Sequence, residues 1–379
     1  MGSITRTIAN NLTTGLGGQG GANFKNLIIN GDMQIAQRGT SATGLGNGDN
    51  GYHALDRFRF SELDAPTYEF TMSQDSTVPT GQGFGKSLKM DCTTADASLG
   101  ANEGLRIQQR LEGQQLQHLK KGTSNAESLT LSFWVRSAKT GIHIAELFDA
   151  NNNRYFSKAY TIASADTWEK HSLTFAGDTT GVLSNDSSES LTVNFWLAAG
   201  SSYDTGTLPT DWHTSATTNR AKGQVNLADS TSNTWYITGI QLEVGSSATD
   251  FEFLPHEIQQ MRCCRYYQKI GINMGIYTFA PSHSDGWSGQ AQLGVLHLPH
   301  SMRTNATTEY SGSWTGRGAL NTDNNCVPGN LQVVANDGTD SGHLYRFSWN
   351  ANQNSNSLGT GAMYNANAGT NDMAFNAEL

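Results

Sequence analysis

Two tryptophans stand at matching places in two stretches of strict alternation. Residues 129–136 (LTLSFWVR) and 191–197 (LTVNFWL) alternate so that Phe133 and Phe195 would fill a core while polar and indole side chains share one outer face. Flat indoles flanked by hydrogen-bonding groups are typical of sugar-binding surfaces. The alternative is that this face packs on a loop, a second module or a neighbouring subunit. The predicted glycan-binding residues are Trp134, Trp196, Arg136 and Asn194.

Signatures of catalysis are missing from the sequence. It contains no Gly-x-Ser-x-Gly elbow, no His-Glu-x-x-His zinc motif and no Gly-x-x-x-x-Gly-Lys loop. Acidic pairs such as Asp204/Asp211 or Glu103/Glu112 could act as a glycosidase dyad, but sequence spacing alone does not bring two carboxylates together. The histidines form no cluster, and two adjacent cysteines are a poor chelate for zinc. We predict that the chain is not an enzyme and has no metal site.

Charge and composition restrict the partners. The net charge is −9 and the longest basic run is Lys120-Lys121, so the chain lacks the basic face that nucleic acid requires. No stretch reaches 18 apolar residues, which predicts no membrane insertion. Charged residues make up 15% of the chain, and its many hydroxyls and amides suit hydrogen bonding to neutral polymers such as glycans. We interpret the cysteines as reduced structural thiols, which predicts synthesis in a cytoplasm.

Short strands are the elements that would position these side chains. The 41 glycines and the polar turns between short apolar runs predict an all-β chain. Residues 255–269 differ, because Pro255 suits a first helical turn and Ile258, Met261 and Arg265 are spaced helically. We predict a jelly-roll β-sandwich, a short helix and a second, smaller C-terminal β-sandwich. The predicted division is 1–23 for an N-terminal anchoring arm, 24–252 for the jelly roll, 253–271 for the linker helix and 272–379 for the C-terminal sandwich.

The N-terminal arm is a candidate docking peptide. A glycine-rich hinge at 15–21 would separate it from the body. The alternative is a tail without a role. The predicted docking residues, which could form a short strand, are Ile4, Thr5, Arg6 and Ile8.

Scattered motifs between residues 24 and 379 resemble those of phage tail-fibre and virion structural proteins. They are 26–33 (NLIINGDM), 37–40 (QRGT), 56–58 (DRF), 109–113 (QRLEG), 129–136, 240–252 (IQLEVGSSATDFE), 262–267 (RCCRYY), 298–303 (LPHSMR) and 377–379 (AEL). The resemblance implies a virion component that is commonly a homotrimer.

The first module also resembles jelly-roll carbohydrate-binding modules. It shares their opening, the Ser-Phe-Trp strand, residues 167–170 (TWEK) and a closing strand at 235–243 (WYITGIQLE). Such modules often hold a structural calcium through an Asp in the closing strand. Thr238 and Gly239 stand where acidic residues would be, so no cofactor is predicted and a structural calcium is the alternative.

Taken with these features, the resemblance implies a virion structural protein of the tail-fibre type, made in the host cytoplasm. Its N-terminus would attach to other virion proteins of the tail or head, and its β-sandwiches would face a host-surface glycan for host attachment. One alternative is a purely structural tail-ring, head-fibre or capsid decoration protein without receptor activity. The other is a glycan depolymerase.

Overall fold

Two antiparallel sheets packed face to face make up most of the described chain. The computed structural model describes residues 24–214, 216–270, 298–304, 306–310 and 373–379, and the backbone of six further strands between residues 276 and 365. Short strands dominate and helices are few, so the predicted all-β class is confirmed. The predicted docking residues Ile4, Thr5, Arg6 and Ile8 lie outside the described residues.

Sheet A has six strands and sheet B has seven. In spatial order, sheet A consists of β1 (Ser41–Gly46), β4 (Glu69–Asp75), β5 (Ser87–Thr94), β13 (Thr234–Val244), β7 (Leu129–Ser137) and β10 (Glu169–Phe175). Sheet B consists of β12 (His213–Thr214), β9 (Arg154–Ile162), β8 (Gly141–Asp149), β11 (Glu189–Ala199), β6 (Gly104–Glu112), β3 (Arg59–Leu63) and β2 (Asn50–Gly51). The chain crosses repeatedly between the sheets, as the predicted jelly roll requires.

The core lies between the two sheets. The predicted alternation is confirmed, because Phe133 of β7 meets Phe195 of β11 edge to face with ring centroids 5.1 Å apart. Both rings are buried, and Trp235 of β13 is fully buried beside Phe195. Burial of each such side chain contributes about 2–3 kcal/mol, so these contacts tie sheet A to sheet B.

Helices are short. Helix α1 (Ser201–Asp204) follows β11, and α2 (His256–Cys264) follows the closing strand of the jelly roll. The predicted helix is confirmed but ends earlier than expected, because residues from Tyr267 onward enter strand β14 (Tyr267–Ile270). Among the described residues, no helix is long and apolar enough to cross a membrane.

Strands resume after α2. Strand β14 pairs with β22 (Met373–Asn376), which also pairs with β17 (Thr307–Tyr310). The remaining strands are β15 (Ile276–Tyr277), β16 (Gln290–His297), β18 (Trp314–Arg317), β19 (Asp323–Cys326), β20 (Leu344–Ala351) and β21 (Ala362–Asn365). Their packing into a second sandwich lies outside the described residues, and the domain boundaries stay predictions.

Candidate functional site

The two tryptophans predicted to share one platform lie on opposite faces of the sandwich. Trp134 is on β7 of sheet A, whereas Trp196 is on β11 of sheet B. The predicted platform is therefore wrong. Alternation separates core side chains from outward ones, but it does not specify which of the two sheets a strand joins.

Trp196 points away from the core and is nevertheless fully buried. The segment that follows β11 covers it: Ala221 packs against the indole, and the Tyr203 ring lies 5.4 Å away between centroids. The indole is thus enclosed by the chain's own insertion and presents no surface to a glycan.

Asn194 is also fully buried on the outer face of sheet B. Its amide donates to Glu146 Oε1 at 2.8 Å and its Oδ1 accepts from Gln108 Nε2 at 2.6 Å. Arg220, from the same covering segment, forms two bonds of 2.6 and 2.8 Å to Glu146. Asn194 therefore belongs to a network that holds the covering segment on sheet B.

Trp134 and Arg136 remain at the surface of sheet A. Trp134 lies opposite Thr238 of β13 and Lys170 of β10, and Arg136 lies opposite Tyr236. Trp134 and Trp168 are half-buried. The group that we name the sheet A patch consists of Lys89, Trp134, Arg136, Trp168 and Tyr236.

Tyr236 is the centre of the sheet A patch. The Arg136 guanidinium carbon lies 5.0 Å from its ring centroid and Lys89 Nζ lies 5.7 Å from it. The Trp168 ring approaches edge-on at 6.3 Å. These contacts hold aromatic and cationic side chains in one layer, as cation–π attraction favours.

The cations of the sheet A patch have acidic partners. Arg136 pairs with Asp166 at 3.0 Å and Lys89 pairs with Asp91 at 3.0 Å. Burial opposes the charge on Lys89, but the hydrogen bond that it donates to Asp91 and the negative charges nearby outweigh burial and raise its pKa. With these charges matched, the patch offers indole faces and oriented polar groups, a combination that suits the apolar face and hydroxyls of a sugar.

One of the acidic pairs considered as a dyad is separated by the fold. Glu103 precedes β6 and Glu112 ends it, so about nine residues of extended chain, roughly 30 Å, lie between them. A glycosidase pair needs its carboxyls within about 10 Å. Glu112 is instead bonded to Arg265 at 2.7 and 2.8 Å. In the other pair, Asp204 and Asp211, the Asp211 carboxylate accepts a hydrogen bond from the backbone N–H of Trp212.

The calcium position of the resembled modules does not fit this ion. Thr238 donates to the Lys86 carbonyl at 2.7 Å. Gly239 faces the Phe84 ring so closely that a Cβ there would lie 2.5 Å from it. An aromatic wall offers no oxygen ligands to Ca²⁺. Among the described residues, no group of three or more His, Cys, Asp or Glu is placed to hold a metal.

Motifs that carry the resemblance meet in space. Residues from 56–58, 109–113, 262–267, 298–303 and 377–379 converge where the jelly roll contacts the C-terminal residues. We name this group the seam, and its charged and aromatic members are Arg57, Glu112, Arg265, Tyr266, Arg303 and Glu378.

Arg57 is the buried centre of the seam. Its side chain is fully buried, pairs with Glu378 and stacks on Tyr266 with its guanidinium carbon 3.5 Å from the ring centroid. Arg38 pairs with the other oxygen of Glu378 at 3.3 Å and lies over the Tyr267 ring at 3.6 Å. Two arginines thus bind one carboxylate and two neighbouring tyrosines.

Glu112 and Arg303 bind further parts of the chain to the seam. Burial alone would raise the pKa of Glu112, but the bonds from Arg265 and Tyr266 outweigh it and hold that pKa below its usual range. Arg303 donates to the carbonyls of Ala377 at 2.7 Å, Glu378 at 3.0 Å and Ser187 at 2.8 Å.

The opening motif is fixed by its own polar groups. Asn30 donates to the Ile35 and Asp56 carbonyls at 2.9 and 3.0 Å. Asp56 accepts from the Gln37 backbone at 2.8 Å and from its side chain. Burial raises the pKa of Asp56 to about 6 despite these bonds. Because Gln37 also donates to the Tyr267 carbonyl at 2.8 Å, this motif too supports the seam.

Sequence reasoning found two members of the sheet A patch and missed the others. Trp168 and Tyr236 stood inside quoted motifs, but their closeness to Trp134 depends on β13 and β10 flanking β7. Nor could spacing show the seam, whose members are up to 321 positions apart.

No protein-family model matches the chain, and no curated protein matches it. Solved structures are similar to part of it. The enzymatically active domain of tailspike protein 4 from bacteriophage CBA120 is 12% identical with a TM-score of 0.31, covering 58% of this chain and 22% of that one. The family 11 carbohydrate-binding module from Clostridium thermocellum, in complex with a β-1,3-1,4-mixed-linked tetrasaccharide, is 10% identical (TM-score 0.28, 56% and 99% covered). TmCBM61 in complex with β-1,4-galactotriose is 10% identical (0.29, 59% and 100%).

Proposed function

We propose that this chain is a non-enzymatic phage virion component of the tail-fibre type that binds a host-surface glycan through the sheet A patch. The observation that carries the glycan part is the contact of Tyr236 with both Trp168 and Arg136 on an outer sheet face, where strand register places Trp134 diagonally from Tyr236. Two indoles that are already half-buried lose little side-chain entropy when a sugar ring covers them.

The virion part of the proposal is supported by the seam. The motifs that resemble those of phage structural proteins supply its buried bonds, so the residues that carry the resemblance lie together in one junction of this chain. Such a junction would hold the C-terminal strands rigidly on the jelly roll of an extracellular particle. Residues 1–23 would then attach the chain to other tail or head proteins.

Glycan binding is tested with the purified chain on an array of host-surface polysaccharides. Trp134→Ala should lower the affinity for the bound glycan by about thirtyfold, since a central aromatic anchor contributes about 2 kcal/mol or more. The matched control is Val182→Ala, which removes an exposed apolar side chain away from the patch and should leave the affinity unchanged. Equal binding by both variants would remove the sheet A patch from the proposal.

The two alternatives give different results in the same preparation. A tail-ring, head-fibre or decoration protein would bind only particle proteins and no polysaccharide. A depolymerase would release reducing sugar ends from the polysaccharide that it binds. Binding without release of reducing ends is the outcome that we expect.

A further inference from the structure

The outer face of sheet B carries more arginines than carboxylates. Arg59 of β3 and Arg106 of β6 are diagonal neighbours there, since Arg59 lies opposite Gln108 and Arg106 lies opposite Ser61. Diagonal positions on paired strands are about 7–8 Å apart, within reach of long side chains. The two guanidinium groups therefore share one region of this face.

Arg106 is buried without an acidic partner. Its side chain is only 9% exposed, and it lies over the Trp196 ring at 5.1 Å. One nitrogen donates to Ser61 Oγ at 3.3 Å, while the buried Nε has no hydrogen-bond partner among the described residues. A buried cation normally requires a paired anion, because its desolvation is otherwise uncompensated.

The carboxylates nearby are already engaged. Glu146 accepts both bonds from Arg220, and it also accepts from Asn194 and from Ser157. Glu189 pairs with Arg110 at 3.1 Å. Within the described part of the chain, neither Arg59 nor Arg106 belongs to an ion pair, and the carboxylates that act on them from a distance, Glu189 and Glu146, are bound to other arginines.

We propose that Arg59 and Arg106 form a binding site for the carboxylate of an acidic sugar. Arg59 is partly exposed, so an anion from solvent would meet it first, with the buried Arg106 at the neighbouring diagonal position. Planar guanidinium groups bind carboxylates through charge-assisted, often bidentate bonds. Gln108 positions Arg59 by accepting its bond at 3.2 Å. This site extends the proposed glycan binding to the other sheet and uses none of the sheet A patch.

The test is titration calorimetry of the full chain with sodium glucuronate, glucose and sodium sulfate at constant ionic strength. Wild type should bind glucuronate and not glucose. Arg59→Met and Arg106→Met should each weaken glucuronate binding by more than about tenfold, because each removes a charge-assisted bond. If Arg106→Met does not fold, Arg59→Met still tests the site, because Arg59 is only half-buried.

Two controls separate this site from a general charge effect and from the sheet A patch. Lys139→Met removes one positive charge elsewhere, at an ion pair with Asp229, and should bind glucuronate as wild type does. Trp134→Ala should bind glucuronate as wild type does, because Trp134 lies on the other sheet. If this variant loses polysaccharide binding but keeps glucuronate binding, the result bears on the sheet A patch and not on the acidic-sugar site. Equal glucuronate binding by all variants, or binding of sulfate without glucuronate, would overturn the acidic-sugar site.

Discussion

Arg57 shows how a single residue holds distant parts of this chain together. Its charge is compensated by Glu378, its plane is covered by Tyr266, and one nitrogen donates to the Arg110 carbonyl. Its backbone has a φ of 73°, a left-handed conformation that is uncommon outside glycine. The local cost of that conformation is offset by contacts that only the folded seam provides.

Loss of the Arg57 charge should therefore be costly. We expect Arg57→Met to lower the free energy of unfolding by about 3–5 kcal/mol, because Glu378 stays buried with one cation fewer. Urea unfolding of Arg57→Met, Glu378→Gln and the double variant measures the coupling, which should be about 1–3 kcal/mol. The control Arg136→Met breaks a surface pair with Asp166, an acid with 53% of its side chain exposed, and should cost under about 1 kcal/mol. Additive single effects would show that the two residues are not coupled.

The lowered pKa of Glu112 predicts how the stability of the fold changes with pH. Its folded pKa lies below its ordinary value of 4.5, so it contributes stability that is present above about pH 4.5 and is lost as pH falls through the folded pKa. Glu112→Gln lacks this contribution. The difference in urea unfolding free energy between wild type and Glu112→Gln should narrow from pH 7 to pH 3. A difference that stays constant over this range would contradict the cause assigned to the pKa.

At the scale of elements, the Asn-Gly turn of the opening motif lies directly against β13. A Cβ added to Gly31 would lie 2.1 Å from the Ile240 carbonyl oxygen, while the Gly31 carbonyl accepts from the Ile240 N–H at 2.9 Å. Two backbones approach here more closely than any side chain allows. This contact joins the first described residues of the jelly roll to its closing strand.

Gly31→Ala should lower the unfolding free energy by about 1–3 kcal/mol, because one backbone must move away from the other. Gly51→Ala is the matched control: its added Cβ would meet the His53 ring at 3.5 Å, an ordinary contact, and should change stability by less than about 0.5 kcal/mol. Thermal or urea unfolding of both variants gives the comparison. An equal change in unfolding free energy for both variants would mean that the backbones at Gly31 and Ile240 can move apart without destabilising the fold.

Local pattern predicted the strands better than it predicted their partners. Alternation in 129–136 and 191–197 was sufficient for β7, β11 and the Phe133–Phe195 contact, because a pleated strand with one buried face leaves a period of two in the sequence. Sheet membership depends on pairings between strands far apart in the chain, such as β13 with β5 and β7. The predicted platform was wrong for that reason.

The sequence also does not indicate that the segment after β11 buries Trp196. Trp196 and Trp134 have almost the same local sequence, yet only Trp196 lies beneath the segment with Tyr203 and Ala221. The motifs that carry the resemblance can be recognised in the sequence, but their contacts cannot be predicted from it. Their side chains bind one another across the seam and not within any one element. The sequence alone therefore predicts some residues of the sheet A patch and of the seam. Which residues surround them in space follows only from the fold.

At the scale of the whole molecule, the open edges of the sheets bear on assembly. Sheet B ends in two-residue strands, β12 and β2, which offer few free backbone groups. Sheet A ends in β1 and in β10, and β10 is seven residues long. Long open edges invite pairing with another chain unless they are covered. An assembly of copies is one way to cover such an edge.

We predict a homotrimer, as the resemblance implies, because a closed ring of three copies satisfies every head-to-tail contact. Light scattering of the full chain should give three times the 40.9 kDa of one copy. A variant without residues 1–23 should give a trimer as well, since the β-modules, and not the arm, would hold the copies together. A trimer that is lost with the arm would move the interface to residues 1–23. A monomer in both preparations would contradict the trimeric fibre and favour a subunit that assembles only on the particle.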